Sequence, residues 1–352
     1  MIKVKIVGAG GYGGVGLSEL LLTHPAAEIA ALVDVENTGE PYSRMYPHLD
    51  GLLDKKISAP DSPEANGKFD VVFMATPDRV GMQLAGGELE KGAKVIDYSG
   101  DFRFNSAGSY AEYAGRIGLE TVHAAPELLP EAVYGLAELH RKELTKDVRI
   151  VGNPGCFAVS SILGLAPAVA GGIVNTRGII CDCKTGVSGA GKKAAAVFHY
   201  PARYDQMNAY RLSGHQHVCE IERELTLQAG KEVTVTFTAQ VVPAVRGILS
   251  TLYADLLSET TEEEVLACYK AFYKDSPFVR IYPSTAAIGT MQVRGSNFCN
   301  LVVSVDSRNG KLRVVSHIDN LMKGQAGSAL QNMNLICGLP ETAGLTNPGR
   351  YP

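Results

Sequence analysis

Asn153-Pro154-Gly155-Cys156 lies between a β-branched run at 148–152 and an apolar, helix-patterned stretch at 157–169. This order puts a thiol at or near a helix N-terminus. Backbone N–H groups and the helix dipole there lower a thiol pKa from about 8.5 toward neutrality, giving a nucleophilic thiolate. The Pro-Gly turn ahead of it favours exposure. The other cysteines have weaker cases. Cys181 and Cys183 alternate on an expected strand, and Cys268, Cys299 and Cys337 sit in apolar patterns, so packing accounts for these five. Cys219 belongs to His215-Gln216-His217-Val218-Cys219-Glu220. If that run is extended, His215, His217 and Cys219 share one face, as zinc ligands would. The spacing matches no standard zinc pattern. The reading preferred is an imidazole serving a nearby thiolate as general acid/base, with no metal.

Gly8-x-Gly10-x-x-Gly13 directly follows the strand pattern at 4–7 and opens a helical pattern at 15–22. Glycines at this spacing permit a tight turn and close approach of a pyrophosphate to a helix N-terminus. Asp34, ending the second strand pattern, is the acid expected on the ribose hydroxyls. On physical grounds it disfavours a 2′-phosphate; Arg44, ten residues on, could reach one. Gly186-Val187-Ser188-Gly189-Ala190-Gly191-Lys192-Lys193 nearly matches a P-loop. Lys193 replaces the hydroxyl residue that would hold Mg²⁺, so the expectation is a glycine nest touching a phosphate or nicotinamide group rather than an ATPase site.

Strand patterns at 4–7, 29–35, 69–75, 94–98 and 148–152 alternate with helical ones, which predicts right-handed βαβ units and a parallel sheet. Beyond about residue 175, β-rich runs at 178–183, 233–242, 248–257, 298–306 and 311–318 come closer together. They predict a mixed or antiparallel sheet, with helices near 218–228, 262–274 and 324–336. The long turn-rich segment 37–63 is expected to be functional or mobile. The chain has 352 residues, enough for about two domains at ~150 each. Its 33 Lys and Arg against 37 Asp and Glu leave a formal charge of −4, and a nucleic-acid binder would carry a basic face. No apolar run reaches the ~18 residues of a membrane span. Residues 2–7 are too short and too charged for a signal peptide. Seven cysteines in no framework spacing predict reduced thiols and a cytoplasmic protein.

Many segments in order carry a resemblance. They include residues 8–14, Tyr46-Pro47-His48-Leu49, residues 95–103, Tyr134-Gly135-Leu136, residues 152–156, 186–193 and 215–220, Val245-Arg246-Gly247-Ile248-Leu249, residues 293–298 and residues 319–324. On these the chain resembles the N-acetyl-gamma-glutamyl-phosphate reductases, relatives of aspartate-semialdehyde dehydrogenase, over nearly its whole length. The resemblance implies an α/β Rossmann domain plus an α+β catalytic domain with a mixed sheet, of the glyceraldehyde-phosphate-dehydrogenase-like kind. Residues 1–155 and 320–352 would form the Rossmann domain, and 156–319 the catalytic and oligomerisation domain. It implies reduction of an acyl phosphate to an aldehyde with NADPH and release of phosphate, in a homodimer or homotetramer.

Cys156 matches the family nucleophile, and His215 or His217 the acid/base, with His215 placed first. Expected cofactor contacts are Gly8, Gly10, Gly11, Tyr12, Gly13, Asp34, Ala75, Ser188, Gly189, Gly191 and Asn320. Expected substrate contacts are Asn153, Arg103, Glu220, Lys192, Lys193 and Arg246. The Cys156 N–H and the Asn153 side chain are the oxyanion candidates. Where the family shows His-Arg-His-x-Pro-Glu, this chain has Gln216 and Cys219. Ala239-Gln240 stands where Pro-His is typical. Asp34-Val35-Glu36-Asn37 replaces a Ser/Arg-rich run suited to a 2′-phosphate, which keeps NAD(H) beside NADP(H). Three alternatives stay open: the same chemistry on an aminoadipyl phosphate, a nucleotide-sensing protein without turnover, and a zinc protein.

Overall fold

The computed structural model describes residues 1–351, which form two compact units. One comprises Met1–Pro154 with Gln325–Thr346, the other Gly155–Gly324 with Asn347–Pro352.

The first unit holds seven strands: β1 (Ile2–Val7), β2 (Ala27–Val33), β3 (Ile57–Ser58), β4 (Val71–Met74), β5 (Lys94–Asp97), β6 (Ala132–Tyr134) and β7 (Ile150–Gly152). They run in the order β3-β2-β1-β4-β5-β7-β6, and every pairing is parallel. The first five positions follow the doubly wound dinucleotide-binding order. Val71-Val72-Phe73-Met74 is fully buried, as a strand covered on both faces must be. The helices are α1 (Tyr12–Leu21), α2 (Tyr42–Met45), α3 (Gly81–Glu90), α4 (Ala107–Arg116) and α5 (Ala137–His140). β3 and β6 have no counterpart in the sequence reading, being only two and three residues long.

The segment 37–63 is built into the fold. Tyr42 donates its hydroxyl to Ala9 O at 2.7 Å, and Tyr46 donates to Gly10 O at 2.8 Å. This segment buttresses the glycine turn. Residues 97–101 carry a buried acid pair. Burial, then the neighbouring Asp101, pushes the Asp97 carboxyl up to about 8. Asp101 accepts the Arg79 and Met82 N–H groups and so ties the entry of α3 to this loop.

The second unit opens with α6 (Cys156–Ala170), followed by β8 (Ile179–Thr185), α7 (Tyr200–Arg203), β9 (Asn208–Tyr210) and α8 (His217–Ala229). Then come β10 (Val235–Val241), β11 (Ile248–Asp255), α9 (Glu262–Phe272), β12 (Val279–Pro283), β13 (Cys299–Asp306) and β14 (Lys311–Ile318). The sheet order is β12-β13-β14-β11-β8-β10-β9. β8 pairs parallel with β10 and antiparallel with β11, so the sheet is mixed. A π-helical turn, Met322–Ala326, leads to α10 (Gly327–Ile336), which packs in the first unit.

Helix α6 is anchored along its length. Ser160 Oγ is hydrogen-bonded with the Ser250 and Ser316 hydroxyls at 2.9 and 3.0 Å. Pro167 has no N–H to offer the Leu163 carbonyl four residues back. The Tyr273 hydroxyl donates to that carbonyl instead, at 2.6 Å, and Tyr269 donates to Gly164 O at 2.7 Å. The residue at the head of α6 therefore starts from a fixed helix. Among the described residues no helix is long and apolar enough to cross a membrane.

Candidate active site

In the first unit the glycine turn has the shape its spacing predicts. Gly8 has φ +77°, and a β-carbon there would lie 2.4 Å from Ala75 O, so only glycine fits beneath β4. Gly11 donates to Gly8 O at 3.2 Å, and α1 starts at Tyr12 with no side-chain cap. Asp34 Oδ2 accepts the Gly10 N–H at 2.7 Å, while Oδ1 accepts those of Val35 and Glu36. Its carboxylate is thereby fixed beside the turn. Arg44 pairs with Glu40 at 2.6 Å. The two line a cleft of about 270 Å³ with Asn37, Pro41 and Met45.

Gln325 has no place in the sequence reading. A β-carbon at Gly13 would meet Gln325 Nε2 at 3.1 Å, and its buried Oε1 has no hydrogen-bond partner. An uncapped helix start, β-carbon-free turn positions and this unsatisfied amide oxygen fit a bound dinucleotide. The signal was present in the π-turn, but no helical periodicity marks which of its residues point back to α1.

Arg103 and Asn153, expected at the substrate, are committed inside the first unit. The buried Arg103 donates to Asn153 O at 2.8 Å and to Tyr98 O at 2.6 Å. Through these bonds the guanidinium holds the loop that delivers the chain to α6. Asn153 donates to Gln325 O at 3.1 Å and accepts from Asn332 at 3.2 Å, which likewise fixes that loop.

Cys156 is the first residue of α6, half-buried, and no side chain caps that helix. The preceding Gly155 N–H donates to Glu220 Oε2 at 3.0 Å. Glu220 is fully buried in the first turn of α8, and its Oε1 lies 4.0 Å from His217 Nε2. A β-carbon at Gly155 would stand 2.2 Å from His217 Nε2, so that imidazole lies directly on the turn into Cys156. On its other side a β-carbon at Gly324 would meet the Cys156 β-carbon at 2.7 Å. The π-turn thus seats the thiol, a constraint visible only once residues 156 and 324 meet in space. Gly324→Ala is expected to displace the thiol and lower kcat by up to about 10²-fold. Turnover, thermal melting and iodoacetamide alkylation of Cys156 would check it; unchanged turnover would contradict the seating.

The two histidines differ sharply. His215 is caged, with ring centroids 5.7 Å from Phe157, 4.9 Å from Phe237 and 5.7 Å from Tyr210. Burial, then His217 and Arg211, push its pKa down to about 2, so the ring stays neutral. Its Nδ1 accepts the His217 N–H at 3.2 Å and fixes the start of α8. His217 heads α8 against Gly155.

The expected nest residues come together. Ser188, in a 3-10 turn after β8, accepts from Asn320 Nδ2 at 3.0 Å, and Asn320 Oδ1 accepts the Gly247 N–H at 2.8 Å. Gly189 lies under Asn320, and Gly191 has φ +81° in open space. Arg246 lies 3.4 Å from the buried Asp319 carboxylate, which also takes the Gly295 N–H at 2.8 Å. Lys192 and Lys193 are exposed. His217 and Cys219 lie in a helix rather than an extended run, so the strand-face geometry expected for zinc does not form. Among the described residues no group of three or more His, Cys, Asp or Glu side chains could hold a metal. None of the seven cysteines forms a disulfide.

A dinucleotide-binding parallel sheet and a mixed-sheet unit headed by a cysteine have the make-up of a semialdehyde dehydrogenase. Two family models match: "Semialdehyde dehydrogenase, NAD binding domain" over residues 3–147 and "Semialdehyde dehydrogenase, dimerisation domain" over residues 156–320. The fold resembles aspartate semialdehyde dehydrogenase II of Vibrio cholerae, with a TM-score of 0.71 at 16% identity, covering 96% of this chain and 98% of that one. The Candida albicans aspartate semialdehyde dehydrogenase solved with NADP gives 0.68 at 14%, covering 96% and 98%.

Two proteins named N-acetyl-gamma-glutamyl-phosphate reductase are far closer in sequence. That of Citrifermentans bemidjiense is 42% identical over 98% of both chains. That of Symbiobacterium thermophilum is 43% identical over 100% of this chain and 99% of its own. The chain belongs to the semialdehyde dehydrogenase family, in its N-acetyl-gamma-glutamyl-phosphate reductase branch.

Proposed function

We propose that this chain reduces N-acetyl-L-glutamyl 5-phosphate to N-acetyl-L-glutamate 5-semialdehyde with NAD(P)H, releasing phosphate, as a step of arginine biosynthesis. The observation that carries it is Cys156 at an uncapped helix start, with His217 on the adjoining turn, in a chain 42% identical end to end to reductases of that name. His217 accepts the Sγ proton, and the thiolate attacks the acyl carbon. The phosphate leaves, and a thioester remains. When bound, NAD(P)H supplies the hydride that reduces this carbon. The Cys156 N–H and the first turn of α6 face the oxyanion, which collapses to the aldehyde and returns the thiolate. His215 and Glu220 position His217 and Gly155. Asp34 faces the ribose hydroxyls.

The subunits associate through the second unit. On β11, buried residues alternate with half-exposed ones, and α6 packs on the buried side. We assign the other face to a second copy, giving a homodimer or homotetramer. Thiols outside any disulfide suit a reducing cytoplasm.

The reverse reaction tests the substrate. N-acetylglutamate semialdehyde with phosphate should be oxidised faster than its homologue one methylene longer, a difference worth ~1–3 kcal/mol in the transition state. Preference for the longer substrate would overturn the assignment.

A further inference from the structure

We propose that Arg211 receives the α-carboxylate of the acyl substrate; this deepens the reading above and rests on it. Arg211 directly follows β9 and has φ +49°, the left-handed region that a non-glycine residue occupies only when its surroundings hold it there. Its neighbour Tyr210 has its ring 5.7 Å from that of His215. Arg211 holds Gln216, which directly precedes His217, the imidazole lying on the turn into Cys156.

Its side chain is exposed, and Nη1 donates to Gln216 Oε1, a neutral group that anchors the fork without cancelling its charge. Among the described residues no carboxylate pairs with it. The other arginines considered for substrate are engaged: Arg103 by the Asn153 and Tyr98 carbonyls, and Arg246 by Asp319. Arg203, the last residue of α7, donates to the Val197 and Gln206 carbonyls and to Asn208.

The substrate brings two anions. The phosphate departs from the carbon that Cys156 attacks, next to the uncapped N-terminus of α6, where backbone N–H groups suit it. The carboxylate lies several bonds away and needs a separate cation. An arginine with one donor spent on Gln216 still offers two parallel N–H groups for it.

The test uses the reverse reaction of the full-length chain. Arg211→Gln should raise KM for N-acetylglutamate semialdehyde about tenfold or more, with KM for phosphate unchanged. Arg211→Lys should recover part of the loss. 4-Acetamidobutanal, which lacks only the carboxylate, should not distinguish the variants from the parent. An equal loss on both aldehydes, a raised KM for phosphate, or no change in any constant would overturn the proposal. A parent that fails to oxidise N-acetylglutamate semialdehyde would instead overturn the function on which it rests.

Discussion

Cys156→Ser is expected to cut acyl-phosphate reduction on the order of 10⁴-fold or more, since the chemistry loses its nucleophile rather than a contact. A serine hydroxyl fits the same seat between Gly155 and Gly324, so the fold should survive. Cofactor affinity should hardly move, because the Gly8–Gly13 turn and its Asp34 brace lie in the first unit. Steady-state kinetics and dinucleotide titration separate the two effects. Retained turnover would remove Cys156 from the mechanism, and lost dinucleotide binding would point to a folding defect instead.

His217→Asn is expected to cost about 10²–10⁴-fold in kcat, the range for a general acid/base. The contrast with His215 follows from environment. Burial, then His217 and Arg211, push the His215 pKa far down, which favours a positioning role over proton transfer near neutrality. The ring can accept the His217 N–H, and it does. The imidazole limb of the pH–rate profile should therefore vanish in His217→Asn and persist in His215→Gln at whatever rate remains. A limb that survives loss of His217 would return the role to His215.

The parallel sheet was legible because its strands are short β-branched runs separated by helices, and the glycine spacing marked the turn after β1. Strands β9 and β12 escaped notice because their side chains are half-exposed and carry no alternation. The thiol was legible from a Pro-Gly turn before an apolar helix. The differing surroundings of two histidines two residues apart were not, since Phe237 and Tyr210 close on His215 only in the folded chain. Arg103 shows the opposite limit. The bidentate fork of an arginine reads as an anion site, while the two backbone carbonyls that Arg103 also holds come together only on folding. Gly324 and Gln325 were invisible because their partners, Cys156 and Gly13, are distant in sequence.

The central claim is that Cys156 carries the acyl group. The most direct measurement mixes the chain with N-acetylglutamyl phosphate in the absence of any dinucleotide and follows intact and peptide mass spectra alongside phosphate release. The account predicts one N-acetylglutamyl group per chain on the peptide containing Cys156, one phosphate released per adduct, and loss of the adduct on adding NAD(P)H. Phosphate release with no adduct, or an adduct on another residue, would contradict it.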